Sequence, residues 1–383
     1  MMAAIIAEPS VSSVDPSLDQ SNRSVVELLA GWLEPMGFRC VIDPLPDQPK
    51  KVNLIATLHP DGPRPEGARG LVLSGHTDTV PFDGDRWTTD PFTLTERDGK
   101  LYGLGASDMK SFFALALEAT RGVHAGMLRA PLTLLATADE ESGMDGARAL
   151  AASEHGRALA GAAAVIGEPT GNRPVHVHKG IMMESIRITG RSGHSSDPHL
   201  GRNALDAMAV VLDEIILWRA ALAVRHRDPR FAIPYPTLNL GHIHGGDNPN
   251  RICGRAELQI DLRPLPGMDV DALREELRER LRERLAERAP DLEVSPLSPG
   301  QPPMATPADA EVVRLAERLT GHKSQAVAFA TEAPYLARLG VEAVVLGPGD
   351  INCAHQPDEH LPVDRLEPTV RLLRQFIQHF CLH

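Results

Sequence analysis

Two histidines and several carboxylates of this chain follow apolar segments or glycine-rich turns. His76 and Asp78 come directly after the apolar residues 70–73, which predict a buried strand. The other members of the set are Asp108, Glu140, Glu141, Glu168 and His355. Open α/β sheets carry their functional residues at the carboxyl ends of their strands, so we expect these side chains to meet. Imidazole and carboxylate groups in such numbers indicate a hydrolytic site with two metal ions.

Catalysis by two metal ions requires a carboxylate that both ions share, further ligands for each ion and an open position for water. Asp108 suits the shared position, because it follows a glycine-rich turn and precedes a predicted buried helix. His76 and His355 are the imidazole candidates. Glu141 and Glu168 can supply the remaining oxygen ligands.

Two further carboxylates have predicted roles beside the ions. Two ions lower the pKa of a bound water molecule toward about 7, and Glu140 can accept the proton that this water loses. Asp78 lies close to His76 in the sequence, so its side chain can hold the second ring nitrogen of that ligand.

Each of these residues also has an ordinary structural interpretation. A single histidine or aspartate near a strand end is more often a cap or a hydrogen-bonded polar group. Glu140 and Glu141 alone fit the first turn of a helix, where acidic residues suit the helix dipole, and Glu168 alone fits a turn. We favour the metal site, because otherwise all these ligand-type residues would fall at strand ends by chance.

The composition limits the classes of protein that the chain can represent. At 383 residues it is long enough for two domains. Its 42% hydrophobic and 23% charged residues are typical of a globular protein. The formal net charge of -12 argues against nonspecific binding to nucleic acid or to an anionic membrane. We therefore expect neither of these partners.

The cysteines and the first residues of the chain indicate a cellular compartment. The cysteines form no C-x-x-C pair, so no structural zinc ribbon is expected, and isolated thiols favour a reducing compartment. The first residues lack the basic segment of a signal peptide, and no apolar run is long enough to span a bilayer. We therefore expect the protein in the cytoplasm.

Apolar segments alternate with helical patterns through the first part of the chain. The predicted strands cover residues 52–58, 71–74, 132–136 and 163–166. The predicted helices cover residues 24–36, 111–122 and 147–152. This alternation predicts an α/β fold with a largely parallel sheet between helices.

The pattern changes after residue 180. The next predicted elements are strands at 181–189, 237–243 and 256–262 and helices at 203–217 and 270–288. They suit a small α+β domain with an antiparallel sheet. The first pattern resumes with a helix at 310–319, a strand at 341–346 and a helix at 363–380. We therefore predict one domain of residues 1–180 and 291–383, into which a second domain of residues 181–290 is inserted.

In combination, these segments resemble the M20 family of metallopeptidases and deacylases. The candidate ligands lie in the segments that carry the resemblance, residues 75–80, 103–110, 139–141, 167–170 and 354–359. Residues 87–92, 193–198, 234–246 and 379–383 also agree with the family. The resemblance covers nearly the whole chain. It implies a zinc-exopeptidase-like catalytic domain with a mixed, largely parallel sheet between helices, and an inserted α+β lid and dimerisation domain.

The resemblance also implies a role for each candidate residue. The expected ligands are His76, Asp108 and Glu168 for one ion and Asp108, Glu141 and His355 for the other. Glu140 is expected to act as general base and then as proton donor to the leaving amine. Asp78 is expected to orient His76. The peptide bond between Asp108 and Met109 is expected to be cis.

Further residues are implied to contact the substrate. His194, in the inserted domain, matches a family histidine that stabilises the oxyanion, usually in the site of the partner subunit, so we expect a homodimer. Arg263 matches an arginine that binds the substrate carboxylate in bidentate fashion. The other residues expected near the substrate are Lys179, Asn250, Thr331 and Glu332. Glu332 or a neighbour is expected to face the cationic amine of the substrate.

These features imply a metal-dependent amidohydrolase with two zinc or cobalt ions, manganese also being compatible. The expected reaction removes the acetyl group from N²-acetyl-L-ornithine and yields L-ornithine and acetate for arginine biosynthesis. Alternatives with the same machinery are an acetylcitrulline deacetylase, a succinyl-diaminopimelate desuccinylase, an aminoacylase and a metallocarboxypeptidase. A protein that keeps the fold but only binds its ligand is another alternative, and the retained Glu140 and Asp78 argue against it.

Overall fold

A computed structural model of the chain describes residues 1–63, 65–285 and 291–383. The chain divides into two compact units. The first unit comprises Met1–His176, Thr306–Gln325 and Thr331–His383, and the second comprises Val177–Ala305 and Ala326–Ala330. Among the described residues, no helix has both the length and the apolar character needed to cross a membrane.

Helices and strands alternate along most of the described chain. The helices are α1 (Met2–Ile6), α2 (Arg23–Leu33), α3 (Lys110–Thr120), α4 (Asp145–Ala152), α5 (Glu154–Arg157), α6 (Ala204–Arg225), α7 (Val270–Leu285), α8 (Glu311–Thr320), α9 (Ala333–Arg338) and α10 (Leu366–Cys381). The strands are β1 (Arg39–Pro44), β2 (Val52–Leu58), β3 (Leu71–His76), β4 (Thr95–Arg97), β5 (Lys100–Tyr102), β6 (Leu132–Thr137), β7 (Ala163–Ile166), β8 (Val175–His178), β9 (Met182–Thr189), β10 (Thr237–Gly245), β11 (Arg255–Arg263), β12 (Asp291–Pro296), β13 (Met304–Ala305), β14 (Gln325–Val327), β15 (Glu342–Val345) and β16 (His360–Pro362).

The first unit is built on a mixed sheet whose central strands are parallel. The strand order is β1-β2-β6-β3-β7-β15-β8, and β3 runs parallel to both β6 and β7. Every residue of β3 and β6 is buried, as expected for apolar strands covered by helices. Helices α2, α3 and α10 contribute side chains to the same apolar core. The mixed α/β fold expected from the sequence is therefore confirmed.

The parallel strands of the first unit bring the predicted site residues to one edge of the sheet. β3 ends at His76, β6 at Thr137 and β7 at Ile166. His76 pairs with Thr137 in the register of β3 and β6, so these two strands end side by side. His76 is the last residue of β3, Glu140 and Glu141 follow β6, and Glu168 follows β7.

The second unit contains an antiparallel sheet in the order β10-β11-β9-β12. Helix α6 contacts β9, β10, β11 and α7. Buried leucines recur along one stripe of α7, at Leu273, Leu277, Leu281 and Leu285. This stripe belongs to the apolar core of the second unit. The predicted end of the helix at residue 288 lies outside the described residues.

The second unit extends beyond the carboxyl-terminal boundary that was predicted for the inserted domain. Residue 290, where the domain was predicted to end, lies outside the described residues, but the second unit continues as far as Ala305. The physical reason is that β12 pairs with β9 in the sheet of the second unit. Ala326–Ala330 also belongs to this unit.

Candidate metal centre

Asp108 stands between two groups of ligand-type side chains. One group is His76, Asp108 and Glu168, the other is Asp108, Glu141 and His355, and the ligand atoms within each group lie within 4.8 Å of one another. Oδ1 of Asp108 lies 3.2 Å from Nε2 of His76. Oδ2 of Asp108 lies 3.3 Å from Nε2 of His355. The two oxygens of one carboxylate thus face different groups, which is the arrangement that a bridging ligand needs.

Each candidate ligand lies at or near the end of a secondary-structure element. His76 is the last residue of β3, and Glu168 follows the end of β7. Asp108 lies just before α3, and its peptide bond to Met109 is cis, as expected. Glu141 lies in the loop after β6, and the remaining histidine lies in the loop before β16.

The donor set of this centre fits a pair of divalent cations. Oε1 of Glu168 is buried and has no hydrogen-bond partner among the described residues. Nε2 of His355 lies 3.0 Å from Oε1 of Glu141. Burying an ionised carboxylate is costly unless a cation or hydrogen-bond donors balance its charge. Imidazole nitrogens and carboxylate oxygens are ligands that zinc, cobalt and manganese accept.

The crowding of charges shifts the pKa values of the site. Burial raises the pKa of Glu140 well above its usual range. The charge of His76 acts to lower this pKa, and the neighbouring carboxylates act to raise it. Burial and the nearby carboxylates also raise the pKa of Glu168 well above its usual range. Burial acts to raise the pKa of Asp108, but hydrogen bonds from His355 and His76 outweigh it and lower that pKa. Hydrogen bonds to two carboxylates raise the pKa of His355 to about 10.

Asp78 orients the site through its backbone as well as its side chain. Nδ1 of His76 lies 3.0 Å from the backbone oxygen of Asp78, but 3.7 Å from its carboxylate. The carboxylate instead accepts the backbone N–H groups of Glu140 at 3.2 Å and of Glu141 at 3.1 Å. The predicted side-chain contact with the imidazole is therefore replaced by a backbone contact, and the side chain holds the loop that follows β6.

Two further buried residues, Glu359 and Lys51, bond to the loops that carry the candidate ligands and the proposed general base. The sequence predicted no role for either residue. The carboxylate of Glu359 accepts hydrogen bonds from the backbone N–H groups of Gly105, Ser107 and Asp108. Nζ of Lys51 lies 2.6 Å from Oδ1 of Asp139, the residue before Glu140. Glu359 is the last residue of 354–359, one of the segments that carry the family resemblance. Its place in that segment is the sequence feature that could have indicated a role. Lys51 has no such signal, because its partners lie far away in the sequence.

Thr331 and Glu332 are buried inside the first unit. Oε2 of Glu332 accepts a hydrogen bond of 2.5 Å from the hydroxyl of Thr137, and the hydroxyl of Ser74 bonds to the other oxygen. Thr331 Oγ1 accepts the backbone N–H of Ala333 at 3.2 Å. Both carboxylate oxygens of Glu332 therefore bond to interior hydroxyls.

The predicted oxyanion histidine lies in the second unit. His194 is exposed, and its Nδ1 accepts the backbone N–H of Ser196 at 3.2 Å. The backbone oxygen of Asn250 accepts the N–H of Ser195 at 3.1 Å. The structure therefore brings His194 and Asn250 onto adjacent loop segments.

The two cationic residues that were predicted to contact the substrate, Arg263 and Lys179, also lie in the second unit. Nε of Arg263 donates to Oδ2 of Asp261 at 3.0 Å. Nζ of Lys179 donates to the backbone oxygen of Tyr235 at 2.7 Å, and burial lowers the pKa of this lysine. Each cation is thus anchored by one hydrogen bond inside its own unit.

Comparison with known sequences identifies close relatives over nearly the full length of the chain. Residues 72–379 match the sequence model of peptidase family M20/M25/M40. A curated acetylornithine deacetylase of Yersinia pestis is 49% identical over 378 residues, which cover 99% of this chain and 96% of that protein. A curated acetylornithine deacetylase of Salmonella arizonae is 48% identical over 380 residues, which cover 99% of this chain and 97% of that protein.

Comparison with solved structures supports the fold. A metallo-carboxypeptidase of the M20 family from Sulfolobus solfataricus superposes with a TM-score of 0.75 at 18% identity, covering 99% of this chain and 98% of that chain. A Bacillus subtilis protein, described as a dinuclear metal-binding peptidase of the M20 family, superposes with a TM-score of 0.66 at 14% identity, covering 99% of this chain and 97% of that chain. At these identities the likeness concerns the fold alone.

Proposed function

This chain belongs to peptidase family M20/M25/M40, and from this premise we propose that it converts N²-acetyl-L-ornithine to L-ornithine and acetate by metal-dependent hydrolysis. The observation that carries the proposal is the 49% identity to a curated acetylornithine deacetylase over 99% of the chain. Both ligand groups of the candidate metal centre agree with it. Release of L-ornithine by this reaction serves arginine biosynthesis.

Two divalent ions are the proposed cofactors. Zinc and cobalt suit the donor set, and manganese is also compatible. The proposed ligands are His76, Asp108 and Glu168 for one ion and Asp108, Glu141 and His355 for the other. When bound, such ions lower the pKa of water and polarise the carbonyl group of the substrate.

Glu140 is the proposed general base and general acid. It accepts a proton from the attacking water molecule and passes this proton to the amine nitrogen as the carbon–nitrogen bond breaks. Burial raises the pKa of Glu140, and this is the direction that favours return of the proton to the amine. Asp78 keeps Glu140 in place through the backbone N–H group of that residue.

His194 is the proposed donor to the oxyanion. Because Nδ1 of His194 accepts the N–H of Ser196, the proton of a neutral imidazole lies on Nε2. Nε2 can then donate to the negative oxygen that develops when water adds to the acetyl carbonyl. Removal of this donor would lower turnover without removing any metal ligand.

Arg263 is the proposed partner of the substrate α-carboxylate. A guanidinium group can donate two parallel N–H groups to a carboxylate, and only Nε of Arg263 bonds to Asp261 within the described residues. Lys179, Asn250 and Thr331 are proposed to complete the substrate contacts. Glu332 is left out of this set, because its oxygens bond to interior hydroxyls.

A homodimer through the second unit is part of the proposal. Among the described strands of that unit, β10 lies at an edge of the sheet, and Ile243 on this strand is 52% exposed. Ile216 and Leu217 of α6 are also exposed. An exposed edge strand with apolar side chains is a template for pairing with a second chain.

The cytoplasm is the proposed location. Cys40, Cys253, Cys353 and Cys381 are all free thiols. Thiols that stay unpaired are typical of a reducing compartment. A biosynthetic hydrolase that acts on a small amino-acid derivative also belongs where its substrate is made.

A panel of acylated amino acids tests the substrate. The release of free amine by the purified protein is measured with N²-acetyl-L-ornithine, N-acetyl-L-citrulline and N-succinyl-diaminopimelate, each with and without a chelator. We expect the largest kcat/KM for N²-acetyl-L-ornithine and loss of all activity with the chelator. A larger kcat/KM for another compound would contradict the proposed substrate. Binding without hydrolysis of any compound would favour the non-catalytic alternative.

A further inference from the structure

The buried carboxylate of Glu359 lies against the backbone that leads into Asp108, the candidate ligand that both groups share. Its Oε1 accepts the N–H groups of Ser107 at 2.7 Å and of Asp108 at 2.9 Å. Its Oε2 accepts the N–H group of Gly105 at 3.1 Å. Glu359 is only 2% exposed, so these three bonds form away from competing water.

The same residue belongs to the loop that carries a second ligand. Glu359 follows His355 in the segment that leads into β16. The backbone oxygen of Glu359 accepts the N–H of Gly103 at 3.1 Å, and β16 pairs with β5 just before this glycine. One residue therefore ties the loop of His355 to the turn of Asp108.

We propose that Glu359 is a positioning residue of the metal centre, whose carboxylate fixes the turn of Asp108 relative to the loop of His355. It does not belong to either group of ligand atoms. It therefore affects metal binding indirectly, through the placement of Asp108 and His355. Asp108 is a member of both groups, and His355 is a member of one. The inference rests on the metal centre of the proposed function and is independent of the acetylated substrate.

A carboxylate is the side chain that satisfies all three donors. Its two oxygens together accept the three N–H groups, two at Oε1 and one at Oε2. A glutamine in the same place offers one acceptor oxygen and turns an NH₂ group toward one of the backbone N–H donors. The turn of Gly105, Ser107 and Asp108 would then lose at least one bond in the interior.

Asp358 provides a matched control for this proposal. Its carboxylate lies next in the chain to Glu359, but it accepts the backbone N–H and the hydroxyl of Thr88, which is not a ligand. Asp358→Asn therefore removes a neighbouring charge from the same loop without touching the turn of Asp108. A nonspecific effect of charge removal in this loop would appear in both variants.

The test compares metal binding by the wild-type protein, Glu359→Gln and Asp358→Asn. Zinc affinity is measured by competition with a chromophoric chelator, and hydrogen exchange is followed in the peptide that contains residues 103–110. For Glu359→Gln we expect about 10- to 100-fold weaker zinc binding and faster exchange in this peptide. Excess zinc should restore kcat, because Glu359 does not touch the reacting groups. Asp358→Asn should behave as the wild type.

Zinc affinity of Glu359→Gln within about threefold of the wild type, with unchanged exchange of the peptide, would overturn the inference. If Glu359→Gln does not fold, Glu359→Asp tests the same point, because it keeps both oxygens but withdraws them from the turn, and equal affinity there would also overturn it. Failure of the wild-type protein to bind zinc would instead contradict the metal centre of the proposed function.

Discussion

At the scale of single residues, buried carboxylates have different tasks in the same small volume. Asp108 faces both groups of ligand atoms. Asp78 accepts the backbone N–H groups of Glu140 and Glu141, and its own carbonyl contacts Nδ1 of His76. One aspartate therefore fixes a histidine ligand, a glutamate ligand and the proposed general base.

Glu140→Gln tests the general base. Glutamine keeps the shape of the side chain but cannot accept the proton of the attacking water, so we expect kcat to fall by about 10²- to 10⁴-fold. Bound metal should remain, because Glu140 belongs to neither ligand group. Turnover of N²-acetyl-L-ornithine and metal content by elemental analysis are the measurements.

The matched control for Glu140→Gln is Glu154→Gln on α5, where the side chain of Glu154 is 92% exposed. This variant should keep the turnover of the wild type. Near-normal turnover of Glu140→Gln would show that another group accepts the proton.

The sequence predicted which ligand-type residues come together, but it did not predict all of the hydrogen bonds that hold them. His76, Glu141 and Glu168 lie at or after the ends of strands that the apolar pattern reveals, so their meeting could be foreseen. The bonds of Glu359 join residues 254 positions apart, and no local pattern encodes such a contact. Glu332 had the right charge for a cationic substrate, but its burial against Ser74 and Thr137 depends on how β3 and β6 pack.

At the scale of elements, a buried lysine connects the amino-terminal segment to the loop of the general base. Nζ of Lys51, just before β2, lies 2.7 Å from Oδ1 of Asp19 and 2.6 Å from Oδ1 of Asp139. It also donates to the hydroxyl of Ser12 at 3.2 Å. The side chain of Lys51 has no exposed surface, so its charge is balanced by these groups alone among the described residues.

Lys51→Met tests the importance of this connection. The substitution leaves two carboxylates without their buried cation, and we expect the free energy of unfolding to fall by about 3–5 kcal/mol. Lys50→Met is the control, because Nζ of Lys50 lies 2.6 Å from the same Asp19, but its side chain is 52% exposed. An exposed pair of this kind contributes at most about 1 kcal/mol. Equal losses in both variants, measured by denaturant unfolding, would contradict a special role for Lys51.

The end of α8 offers a test of pH dependence away from the metal centre. The backbone N–H of Ser324 and the ammonium of Lys323 hold the carboxylate of Glu317 and lower its pKa from 4.5 to about 2. A lowered pKa in the folded state stabilises the fold above pH 4.5, and this contribution disappears as the pH falls toward about 2.

Glu317→Gln should therefore melt at a lower temperature than the wild type above pH 4.5, and the difference should shrink toward zero near pH 2. Melting of both metal-free proteins across this range is the measurement, since metal loss then affects neither curve. A difference in melting temperature that does not change with pH would contradict the assignment.

The elements that the sequence missed are short or exposed. The central strands β2, β3, β6 and β7 were foreseen, because each contains a short run of apolar residues. β4, β5 and β16 have only three residues each, too few for a pattern to emerge. β12 alternates between half-buried and exposed positions, so only its pairing with β9 reveals it.

At the scale of the whole molecule, the proposed homodimer can be tested at the edge of the second unit. Ile243→Lys places a charge on the exposed strand β10, and lysine on an edge strand opposes pairing with another chain. We expect this variant to sediment as a monomer while it keeps its bound metal. Val14→Lys is the control, because Val14 is an equally apolar residue that is 87% exposed in the first unit. An unchanged dimer in Ile243→Lys, or a monomeric wild-type protein, would contradict the proposed interface.

Metal reconstitution tests whether the hydrolysis of N²-acetyl-L-ornithine depends on bound metal. The purified protein is freed of metal with a chelator and titrated with zinc or cobalt, while ornithine and acetate released from N²-acetyl-L-ornithine are quantified. We predict no release from the metal-free protein and a return of activity with added metal, with the two products formed in equal amounts. Full activity of the metal-free protein, or no release after both metals have been restored, would contradict a metal-dependent acetylornithine deacetylase.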